Sequence, residues 1–110
     1  MSRARLERLA SLAGLVRDAA LADLSREVQA CADLRLRIAA LDTVRPAEPV
    51  VDLAAMEGAV LRHERWAASR RRLLNEQLAL RTAARLELEA RARAAFGRAQ
   101  VLDRLLGDSR

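Results

Sequence analysis

The sequence predicts an all-α fold, an antiparallel two-helix coiled-coil hairpin with a longer C-terminal helix. Three observations carry this. First, the 110 residues include 24 Ala, 20 Leu, 20 Arg and 8 Glu, about 65% of the chain, the composition of long helices and coiled coils. Second, apolar residues recur at the coiled-coil period. Third, two prolines fall in a single break. One Phe, one Trp, no Tyr and 4 Gly exclude a sandwich or barrel, which needs aromatic and β-branched strands with frequent turns. No Val/Ile-rich runs alternate with helical stretches, which argues against a parallel α/β enzyme.

The first helix is predicted over about residues 3–42. Ser2 is a good N-cap. Leu6, Leu9, Ala13, Val16, Ala20, Leu24, Val28, Cys31, Leu34, Ile38 and Leu41 take ten steps over 35 residues, the 3.5-residue spacing of a coiled-coil seam. The break is Thr43 to Val51, where Pro46 and Pro49 forbid helix and push Arg45 and Glu48 toward extended conformations. The second helix is predicted over about residues 52–106. Asp52 caps it, Val51 and Met56 can form a hydrophobic staple, and Gly107 is the expected stop. Its apolar stripe reads Leu53, Met56, Val60, Trp66, Leu73, Leu80, Ala84, Leu88, Ala95, Leu102 and Leu106. His63, Arg70 and Gln77, seven apart, interrupt that stripe.

A hairpin folded at the middle of the break pairs residues whose numbers add to about 95. The second helix would then overhang the first by about 15–17 residues, roughly 25 Å. That bare end would carry Phe96, Val101, Leu102, Leu105 and Leu106, asking for a partner or a second copy to bury it.

Net charge is +5 with no Lys. Arg62, Arg65, Arg70, Arg71 and Arg72 against Glu64 concentrate the excess in eleven residues. The patch has two readings. It can pair across the hairpin with Asp23, Glu27 and Asp33. Alternatively, with Trp66 inside it, it can dock on an acidic protein surface, since Trp and Arg are enriched at binding hot spots. Five Arg in three turns supply neither a continuous phosphate-tracking face nor a known module, so nucleic acid is not the expected partner.

Catalysis finds little here. His63 is the only histidine and Cys31 the only cysteine. The folding rule sets them near-opposite, where a buried thiol beside a seam-edge imidazole is the ordinary outcome. Two ligands are too few for a metal, and the scattered glycines build no phosphate loop. No catalytic residue, cofactor or metal is therefore expected. No apolar segment reaches the length of a membrane span or of a signal peptide's core, so a cytoplasmic protein is expected.

Three stretches carry a family resemblance: Arg5-Leu6-Glu7-Arg8-Leu9, Arg65-Trp66 with Arg70-Arg71-Arg72-Leu73-Leu74-Asn75, and Ala95-Phe96-Gly97-Arg98. The chain resembles the small coiled-coil stalk proteins of flagellar and other type III export ATPases, the FliJ-like and YscO-like proteins. The resemblance implies a non-enzymatic stalk whose paired termini enter a hexameric export ATPase, with other surfaces contacting the export gate and export chaperones. Carried over, Arg3, Arg5, Arg8, Phe96, Val101, Leu102, Leu105 and Leu106 would meet the ring. Arg62, Arg65, Trp66, Arg70, Arg71 and Arg72 would meet the gate or chaperones. The alternative is a self-associating helical bundle, two hairpins burying their apolar ends against each other as a homodimer.

Overall fold

The computed structural model describes residues 2–43 and 52–108. They form an all-α hairpin of two helices, α1 (Arg3–Ala40) and the longer α2 (Leu53–Asp108). Both expected caps are present. The Arg5 amide donates to Ser2 Oγ at 3.2 Å, and the Ala54 amide donates to Asp52 Oδ1 at 3.2 Å. Each satisfies an amide that the first helical turn would otherwise leave without a partner. The end of α1 tightens instead of fraying. The amides of Leu41, Asp42 and Thr43 each bond the carbonyl three residues back at 3.2 Å, and the Thr43 hydroxyl adds a 3.0 Å bond to the Ala40 carbonyl. Such tight final turns use up carbonyls that α-geometry leaves open.

Gly107 does not stop α2, which runs to Asp108, and no described glycine has positive φ. Pro46, Pro49, Arg45, Glu48 and the staple residue Val51 lie outside the described residues.

The chain divides into two compact units. Unit 1 combines Met1–Gln29 with Thr82–Arg110, and unit 2 is Ala30–Arg81. In unit 2, Leu34, Leu41 and Leu74 form a buried cluster with Ile38 and Leu78 packed against it. Cys31 is fully buried and Ala67 nearly so. In unit 1 the buried residues are Leu6 on α1 and Ala92, Ala95 and Ala99 on α2. Alanines at alternating three- and four-residue steps let two helices approach closely. Each buries little area, so this seam is thin.

The pairing register differs from the expected one. In unit 1, Arg17 lies over the Phe96 ring. In unit 2, Arg71 bonds Asp42. In each pair the residue numbers add to 113, not about 95. Leu6 therefore lies level with about Leu106, and the C-terminal end of α2 is no overhang. The unmatched stretch is at the other end of α2. Within unit 2 the register carries Leu53 to about Arg70 past the tight turn that ends at Thr43, with Leu53, Met56, Val60 and Leu61 exposed. The folding rule failed because it placed the bend at the middle of the break. Interdigitation of Leu34, Ile38 and Leu41 with Leu74 and Leu78 sets the register instead.

The seam also runs one residue away from part of the expected stripe. On α2 it takes Ala67 and Leu74, leaving Trp66, Leu73 and Leu80 facing out. On α1 it takes the half-buried Arg17 and Glu27 in place of Val16 and Val28, both of which stay exposed. Arg17 lines the seam with its methylene stem while its guanidinium meets Asp18 at 3.3 Å and the Phe96 ring; Glu27 keeps one carboxylate oxygen buried. Between Trp66 and Leu102 each row meets one charged residue: the row through Ala67 and Leu74 passes Arg81 before Leu88, Ala95 and Leu102, and the row through Trp66, Leu73 and Leu80 passes Glu87 before Ala94 and Val101.

Candidate functional site

Two surfaces qualify, one in each unit. In unit 1 the start of α1 and the end of α2 lie side by side and enclose a groove of about 190 Å³. Leu9, Leu12, Ala13 and Val16 form one wall; Ala95, Arg98 and Leu102 form the other. Arg98 is the one charged residue in this lining. A second depression continues it over Gly97 and Val101. The walls face outward because they flank the seam: Ala13, Ala95 and Leu102 sit on it, while Leu9, Leu12, Val16 and Val101 stand beside it and stay exposed. More large apolar side chains are exposed than buried in this unit, the condition of a surface that binds something.

The structure thus keeps the residues expected to meet a ring together but changes their setting. Val101 lines the second depression and Leu105 is exposed, whereas Leu102 and Leu106 are half-buried in the seam. Phe96 is 45% exposed, its ring under the Arg17 guanidinium at 5.8 Å, a cation–π contact that holds it against α1. Arg5 and Arg8 are exposed on α1, and Arg3 bonds Glu7 at 3.1 Å. Leu12 was missed by the seam reading, as was the wall role of Leu9 and Val16. The available signal was apolar residues flanking a heptad seam at positions where charged residues usually stand.

In unit 2 the basic stretch splits. Arg71 turns to the neighbouring helix and bonds Asp42 at 2.7 Å. Arg62, Arg65, Arg70 and Arg72 are exposed around Trp66, whose ring lies 5.6 Å from His63. The acid facing the patch is therefore Asp42, and the expected partner Asp23 instead pairs with Arg26 on its own helix. The shifted register also takes His63 away from Cys31, so no thiol–imidazole pair forms.

Among the described residues no cluster of three or more His, Cys, Asp or Glu could hold a metal ion. No described helix is long and apolar enough to cross a membrane. No family model, curated protein or solved structure matches the chain.

Proposed function

We propose that this chain is a non-enzymatic cytoplasmic stalk or adaptor of a type III, flagellar-type export apparatus. Its paired helix ends dock in the hexameric export ATPase, and its arginine–tryptophan face contacts the gate or a chaperone. The observation that carries the reading is the unit 1 end. Two helices pair there through small residues and leave Leu9, Leu12 and Val16 exposed on a groove and Val101 on the depression that continues it, with Leu105 exposed on the same end of α2. An inserted stalk end needs such a surface: narrow, apolar on its flanks and basic at its rim, with Arg5, Arg8 and Arg98 supplying the charge. The family resemblance supplies the identity of the ring, and the paired ends supply the surface.

The same apolar flanks favour one other reading, burial against a second copy as a four-helix bundle. Titration of the chain into the export ATPase of the same organism separates them. The stalk reading expects co-sedimentation with the hexamer and a rise in ATP turnover. Unchanged turnover, with the chain sedimenting as a dimer that survives dilution, overturns it.

A further inference from the structure

Unit 2 carries a second apolar row, displaced by one residue from its seam. Trp66, Leu73 and Leu80 stand seven apart on α2, and are 51%, 51% and 74% exposed. In a coiled-coil helix, residues seven apart form one line, so this is a ready second seam outside the hairpin. On that repeat Arg62 and Arg70 lie about 50° to either side of the line, and Arg65 and Arg72 about 100° to one side. None of the four makes an ion pair among the described residues. Arg71, their neighbour, is taken by Asp42. Within unit 2 Glu76 is the acid closest to the line, about 50° to one side, and the apolar run of the row ends at Glu87 in unit 1. His63 flanks it too, its ring against Trp66.

We infer that this face is a docking seam for an acidic amphipathic α-helix of a partner protein. The row spacing selects a helix, because a partner's own heptad stripe matches it turn by turn. The flanking guanidiniums select carboxylates beside that stripe. A second copy is the wrong occupant. Laid parallel, two copies oppose each Arg to its own equivalent, and laid antiparallel they offer one carboxylate flanking the row, Glu76, against four arginines. The inference deepens the partner-contact reading of this face and rests on it. It does not depend on the ATPase docking of unit 1, and the probe below involves no ATPase, so the two fail separately.

Trp66 is the only Trp in the chain and sits in the row, so its emission reports docking directly. The probe is a synthetic peptide of about four heptads, long enough to be helical in isolation, with Leu along its stripe and Glu at the flanking positions. Its control has Lys in place of Glu. The Glu peptide is expected to move Trp66 emission to shorter wavelength. At low salt it should bind at least about tenfold more tightly than the Lys peptide, a preference that shrinks as salt screens the flanks. Leu73→Ser and Leu80→Ser should each weaken binding about tenfold, the loss of one buried Leu contact. Both side chains are exposed, so the helical circular dichroism signal should not change. Arg70→Glu with Arg72→Glu should move the preference toward the Lys peptide. Equal binding of both peptides, no emission shift, or indifference to the Leu73 and Leu80 changes overturns the inference. Self-association of the chain alone with Trp66 buried also overturns it, in favour of a second copy.

Discussion

Leu74→Ala is expected to destabilise the hairpin by about 2–4 kcal/mol, the range for removing a buried Leu side chain and leaving part of its volume empty. Leu74 is 3% exposed and stands in the cluster of Leu34 and Leu41, with Ile38 and Leu78 against it. In a two-helix seam few other layers can collapse into the gap. The neighbouring change Leu73→Ala removes a side chain that is 51% exposed and should cost under about 1 kcal/mol. Thermal or denaturant unfolding followed by circular dichroism measures both. Equal effects at the two positions would mean that the seam does not run through Leu74.

Leu12→Asp with Val101→Asp is expected to remove binding to the proposed ATPase partner while leaving the helices intact. Leu12 is 58% and Val101 54% exposed, one on each helix at the unit 1 end, so neither supports the seam. A hot-spot side chain costs about 2 kcal/mol or more when lost, and two together weaken binding by about a thousandfold. Leu102 and Leu106 are poorer choices, because both are half-buried in the seam and a charge there would disturb the pairing itself. Co-sedimentation with the hexamer reads the binding, and circular dichroism reads the fold. Retained binding in the double variant would place the contact elsewhere on the molecule.

Much of this fold was legible from short-range chemistry. Ser2 and Asp52 cap because their side-chain oxygens reach nearby amides, a local property that sequence carries. The 3.5-residue spacing from Leu6 to Leu41 marked the first seam, since Leu6, Cys31, Leu34 and Leu41 are all buried. Reading failed where packing between distant segments decides. Size misled it at Trp66, Leu73 and Leu80: large apolar residues look like seam, but closely approaching helices also bury Ala67, Ala92 and Ala99, which the expected stripe left out. The register is likewise a long-range property. Interdigitation of Leu34, Ile38 and Leu41 with Leu74 and Leu78 sets it, and the bend between the helices does not reveal it. The candidate site followed that error. Its residues were grouped as a bare overhang, whereas the register sets the start of α1 level with them.

The proposed docking end is built from both helices, and one distance tests it. Spin labels at Ser11→Cys on α1 and Gln100→Cys on α2 report whether the two ends run side by side. Cys31 is fully buried and is replaced by Ala to keep the labelling clean. Helices packed side by side have axes about 8–10 Å apart, so the observed register predicts a separation under about 20 Å. A hairpin bent at the middle of the proline break would slide Gln100 away by about 16 residues, and the separation would exceed about 25 Å. The short distance supports a paired docking end. The long one restores the overhang and contradicts the site described.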